Sequence, residues 1–93
     1  MKKIDLTKIS FLNVEGKEMK ANIVKELGNL MYMQGKDIVE HELGSKIYHS
    51  GDNADDEADC AIEVNEQEEQ AIIRFVEQSY PYVIVKAVKE SFK

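Results

Sequence analysis

Ninety-three residues with 43% hydrophobic side chains suffice for one buried core and are too few for two, so a single small domain over 1–93 is expected. The formal net charge of −6 argues against direct binding to DNA or RNA, whose phosphates are held by Lys and Arg. The lone cysteine, Cys60, cannot form an internal disulfide, and no run approaches the roughly 20 apolar residues of a membrane span.

Met1-Lys2-Lys3 leads into alternating polar and apolar residues rather than an apolar leader, so a cytoplasmic setting is expected. The charge is unevenly placed along the chain. Nine of the eighteen acids lie between Asp52 and Glu69, no Lys or Arg occurs between Lys46 and Arg74, and residues 1–25 carry six lysines against three acids.

In chain order, residues 4–22 read as a β-hairpin. Ile9 and Phe11 alternate with Ser10 and Leu12, Met19, Ala21 and Ile23 alternate on the return, and Glu15-Gly16 supplies a turn whose glycine can take a positive φ. A first helix is predicted from about Ile23 to Gln34, because Ile23, Val24, Leu27, Leu30 and Met31 share one face at helical spacing. Gly35 suits a left-handed position just past its end. Asp37 with Glu40 then resembles a capping box that opens a second helix, with Val39, Leu43, Ile47 and the flanking Tyr48 on its buried side and Gly51 ending it.

These two segments repeat. Glu26 to Gly35 can be laid over Glu42 to Gly51 at a spacing of sixteen, with Glu, Leu, Gly, Tyr and Gly identical in ten positions. Gly28 and Gly44 fall mid-helix, where each costs about 0.5–1 kcal/mol relative to alanine, so a close helix crossing is the expected reason. The alternative is that one glycine leaves room for a partner's side chain. Two copies do not make a solenoid; of a trace of duplication and a shared packing requirement, the second is the favoured account of the likeness.

Residues 51–60 are acidic and without apolar periodicity, which predicts a mobile solvated loop. Ala61 to Val64 alternates briefly and is a candidate third strand for the hairpin. Asn65 and Glu68 form a second capping box, Glu66, Glu68 and Glu69 suit the positive helix end, and Ile72, Ile73, Val76 and Tyr80 give a third helix its stripe. Pro81 interrupts it. The β-branched run after Pro81 would suit a strand, but Ile84, Val88 and Phe92 are four apart, so a fourth helix is predicted over 82–92. The fold class is α+β: an N-terminal hairpin, with or without a short third strand, packed on three to four helices.

Reaction chemistry finds little support. Asp52, Asp55, Asp56, Glu57 and Asp59 offer oxygens for calcium, but they lack the alternate spacing, central glycine and terminal glutamate of an EF-hand loop. His41 and His49 are eight apart, whereas two zinc ligands on one helix face are four apart, and position 45 is Ser45. Acids around Cys60 would suppress its thiolate, and no nucleophile elbow, phosphate loop or dinucleotide fingerprint occurs. No metal, cofactor or catalytic residue is therefore expected. A helix-turn-helix reader is rejected because Asp37, Glu40 and Glu42 would face the phosphates.

What remains is binding of another protein. Tyr32 and Met33 project to the flank of the first helix, away from Leu27 and Met31, and Tyr48 occupies the equivalent place on the second. Either the hairpin covers them, or they form a surface for a protein partner or a second copy of the chain. The run Asp52, Asp55, Asp56, Glu57 and Asp59 gives the alternative of an acidic regulator that masks a nucleic-acid-binding surface. A small-molecule enzyme comes third and would need a cleft of carboxylates with raised pKa values.

Taken in order, Val14-Glu15-Gly16-Lys17-Glu18, Leu27-Gly28-Asn29-Leu30-Met31-Tyr32, Lys36-Asp37-Ile38, Leu43 to Gly51 and Asn65-Glu66-Gln67-Glu68-Glu69 resemble small proteins encoded in phages and integrated prophages of gut anaerobic bacteria. The resemblance covers most of the chain. It implies a role that is assembly-related or unknown, and it carries over no binding or catalytic residue.

Overall fold

A computed structural model of the chain describes residues 1–52 and 60–93. Among these the order is β1 (Lys2–Ile4), β2 (Ile9–Leu12), β3 (Glu18–Ala21), α1 (Val24–Gln34), α2 (Ile38–Ser50), β4 (Ile62–Val64), α3 (Glu66–Ser79) and α4 (Tyr82–Ser91). The architecture is α+β, and no helix among the described residues is long and apolar enough to cross a membrane.

The hairpin β2–β3 pairs Ile9 with Ala21 and Leu12 with Glu18. Its loop is Val14-Glu15-Gly16, and Gly16 takes φ +82°, the left-handed conformation that ends a three-residue hairpin loop. Asn13 holds the loop: its carboxamide oxygen accepts from the N–H groups of Glu15 and Lys17. The predicted third strand exists but not in this sheet. Ile62–Val64 pairs antiparallel with Lys2–Ile4 in a separate two-stranded sheet, because β1 forms its own strand ahead of the hairpin. The backbone of Lys3 also bonds in both directions to Lys93, so β1 is flanked on both sides.

Ile23 is not helical; it stands at the N-cap of α1, buried, with its N–H on Leu6 C=O. Gly35 ends α1 in an extended conformation (φ −61°, ψ 134°), not the left-handed one expected. Space is what demands glycine there, since a Cβ would lie 2.6 Å from Met31 O and 3.0 Å from the Glu40 Cβ.

Half of the expected capping box opens α2. Asp37 accepts from Glu40 N–H, but the Glu40 carboxylate turns to Lys36 N–H and to the Arg74 guanidinium of α3. Glu40 is 4% exposed, so that ion pair joins α2 to α3 across the core margin. Asn65 and Glu68 form the complete reciprocal box on α3. Pro81 is the N-cap of α4, and its C=O accepts from Ile84 and Val85, which confirms the helix over the strand.

Every element contributes to one apolar cluster, including Ile4, Ile9, Leu27, Met31, Ile47, Ile72 and Val88. Full burial of such side chains is worth roughly 1.5–3 kcal/mol each. Ala71 and Phe75 join the α3 stripe, while Ile73 and Tyr80 lie at its margin. The α1–α2 pair forms the most extensive interface in the molecule.

Candidate interaction surface

The α1–α2 crossing is built by the two mid-helix glycines. A Cβ on Gly28 would lie 2.6 Å from Tyr48 N and 2.8 Å from Gly44 O; one on Gly44 would meet Tyr32 N and lie 2.7 Å from Gly28 O. Each glycine thus admits the backbone turn that carries the other helix's tyrosine. Exchanging residue i with i + 16 maps one set of contacts onto the other, so the repeat is the trace of an approximate two-fold axis through an antiparallel helix pair. Shared packing explains the glycines and tyrosines, and Leu27 and Leu43 are both core.

The correspondence continues beyond the identical positions. Lys25 Nζ lies 4.0 Å from the Tyr48 ring centroid and donates to Tyr48 C=O. Its counterpart sixteen residues on, His41, stacks on Tyr32 at 4.1 Å between ring centroids, with Nδ1 3.0 Å from Tyr32 C=O. Each ring is met by a nitrogen-bearing side chain from the opposite helix, His41 at a tilt of 32° to Tyr32. Two restrained aromatic platforms result, one on each arm.

Tyr32, Met33 and Tyr48 are exposed at 46%, 71% and 37% of their surface. The hairpin does not cover them, because β2 packs on α4 instead. Tyr48, expected on the buried side of α2, lies at its rim. Between the two rings is a notch of about 270 Å³ lined by Gly28, Asn29, Tyr32, Ser45, Tyr48 and His49. Asn29 and Ser45 are again sixteen apart, and with Gly28 they line the notch between the two aromatic rims. At the turn end Ile38 is 69% exposed. Its signal in the sequence was an apolar side chain just before the Val39, Leu43, Ile47 stripe; Asn29 and Ser45 were legible only through the repeat.

The proposed acidic face fares differently. Asp55, Asp56, Glu57 and Asp59, and most of the loop predicted over 51–60, lie outside the described residues. Asp52 is described, and it is engaged: Lys25 Nζ approaches to 2.7 Å and His49 Nδ1 to 2.9 Å. Hydrogen bonds from Lys25 first and His49 second hold its carboxyl below the usual range. Among the described residues, lysines meet several of the acids that the sequence sets apart from them. Lys2 bonds Glu69 at 2.9 Å and Lys3 approaches Glu63, because β1–β4 pairing brings the lysine-rich start of the chain to the acidic stretch, and Lys46 of α2 approaches Glu68.

The histidines weighed as ligands are placed apart, His41 on Tyr32 and His49 on Asp52. Cys60 is half-buried, and its N–H points at Asp5 Oδ2. A larger groove of about 580 Å³ runs beside β1 and α4, but Lys3, Lys8 and Lys93 share its walls with Asp5 and Glu90, so neither sign of charge dominates it. The burial of Tyr80, with the Glu26 carboxylate beside it, pushes its phenol up to about 12. Comparison of the chain with protein-family models, with curated proteins and with solved structures finds no match.

Proposed function

We propose that the protein is a non-catalytic, assembly-type interaction module of the cytoplasm that docks another protein on the outer face of its α1–α2 hairpin. The observation that carries this is the exposure of Tyr32 and Tyr48 at the notch that Gly28 lines, with Met33 exposed next to Tyr32 in the chain. Aromatic and methionine side chains are enriched at the centres of protein interfaces, and rings held in place before binding lose little freedom on docking. Lys25 and His41 supply that restraint. The partner chemistry that fits is an apolar or aromatic side chain, inserted between the rings, with a polar group directed at Asn29 and Ser45.

The assembly-type role rests on the resemblance to phage and prophage proteins. A photo-crosslinking residue at Met33, compared with one at Gln70 on α3, tests the docking face. One protein species is expected to crosslink from position 33 and not from 70, and Tyr32→Ala is expected to weaken its capture roughly tenfold or more. The unfolding midpoint should stay near that of the parent. Equal crosslinking from both positions, or capture unchanged by Tyr32→Ala and Tyr48→Ala, would sink the reading.

A further inference from the structure

The outer edge of β3 is open. Among the described residues β3 pairs only with β2, and Glu18, Met19 and Lys20 are all exposed. Which backbone groups face outward follows from the loop. Asn13 N–H donates to Lys17 C=O, so 13/17 is a hydrogen-bonded pair, and the alternation of an antiparallel ladder makes 11/19 and 9/21 hydrogen-bonded as well. Lys17, Met19 and Ala21 therefore direct their N–H and C=O groups to β2. Glu18 and Lys20 direct theirs away from it, as a row of donors and acceptors with no strand opposite among the described residues.

We propose that this edge pairs antiparallel with the same edge of a second copy of the chain, about a two-fold axis through Met19, to make a four-stranded sheet β2–β3–β3–β2. The charges select both the partner and the register. Pairing that engages the outward groups must set even-numbered residues opposite one another. Glu18 against Glu18 of the second copy, or Lys20 against Lys20, opposes like charges; only Glu18 against Lys20 places opposite charges in both symmetry-related pairs. Lys17, Lys20, Glu15 and Glu18 balance within residues 9–21, so two hairpins approach without net repulsion despite the charge of −6 on each chain.

The same register sets Met19 against Met19 in a non-hydrogen-bonded pair, on the face shared with Ile9 and Phe11, and so covers an apolar side chain that the monomer leaves 45% exposed. The proposal is independent of the α1–α2 docking face, since none of Tyr32, Met33 and Tyr48 lies on β3.

Sedimentation velocity of the full chain from micromolar to millimolar concentration tests it. A concentration-dependent monomer–dimer equilibrium is expected. Glu18→Lys and Lys20→Glu should each raise the dimer dissociation constant roughly tenfold or more, because each turns both cross-strand attractions into repulsions. The double reversal, Glu18→Lys with Lys20→Glu, should restore dimerisation. In a Cys60→Ser background, Met19→Cys should crosslink to itself under air oxidation, because Cα atoms in a non-hydrogen-bonded pair are about 4.5 Å apart, within disulfide reach.

A monomer at every concentration overturns the proposal, including one whose edge pairs only with another protein's strand. So does a dimer indifferent to the single reversals or unable to crosslink through position 19. Both charged residues are exposed, and unchanged circular dichroism of the variants separates lost association from lost folding.

Discussion

Replacing Gly44 with alanine tests the helix crossing on which the docking face is built. A Cβ there would lie 2.7 Å from Gly28 O and 2.9 Å from Met31 C, and nearer still to Tyr32 N. Carbon atoms reach their best separation near 3.5–4.0 Å, so the helices must part by roughly 1 Å. All three obstructing atoms are main chain, and no rotamer change relieves them. Overpacking of this kind costs about 1–3 kcal/mol, here near the upper end, and the better helix propensity of alanine returns about 1 kcal/mol. The net expectation is a loss of about 2 kcal/mol, which for a domain of this size lowers Tm by about 8–16 °C. Urea unfolding followed by circular dichroism reads it. Because either substitution opens the same crossing, the double variant Gly28→Ala with Gly44→Ala should lose less than the sum of the two. A Gly44→Ala protein as stable as its parent, or stabler by the helix-propensity gain, refutes the reasoning outright.

Arg74→Ala should destabilise the fold by about 1–3 kcal/mol, below the 3–5 kcal/mol of a fully buried pair because Arg74 is half-exposed while Glu40 is buried. Glu40→Gln in that background should recover part of the loss in the same unfolding assay, since it removes the stranded charge. Asn65→Ala should cost about 0.5–2 kcal/mol through its capping box, and an unchanged midpoint would remove the box from the account of α3. Tyr80 ionises near pH 12 when folded and near its ordinary value of 10.0 when unfolded, so its contribution is complete below pH 10 and lost as the pH rises from there through 12. Stability-versus-pH curves of the parent and Tyr80→Phe should therefore diverge in that window only. Glu26→Gln should bring the tyrosinate absorbance change of residue 80 to lower pH, with desolvation keeping it above 10.

The helices were legible because their signals are local: Asn65 and Asp37 accept the expected N–H bonds, and Leu27, Met31, Leu43 and Ile47 keep one face over several turns. The hairpin was legible for the same reason, through Gly16. Strand partners were not. Ile62–Val64 is three residues long, and so short an alternation carries no register, so its pairing with Lys2–Ile4 is decided by the packing of the whole chain. Glu40 read as a cap residue because its charge partner, Arg74, belongs to another helix. Position 35 read as left-handed because glycine after a helix usually is, whereas here the crowding of Met31 and Glu40 excludes a side chain at ordinary φ. The docking face was half legible. Tyr32, Met33 and Tyr48 stood out by position, but a flanking row of large residues looks the same covered or bare, and only the seating of β2 on α4 decides between them.

The β1–β4 ladder also has a kinetic consequence. Lys3 and Glu63 are sixty positions apart, while the α1–α2 arms are joined by Gly35, Lys36 and Asp37 alone. Loop-closure entropy favours the near contact first, so the arms should already be zipped at the rate-limiting barrier and the outer ladder should close after it. Truncating Leu27 or Leu43 is then expected to slow refolding, and truncating Ile4 or Val64 to hasten unfolding while leaving the refolding limb of the chevron in place.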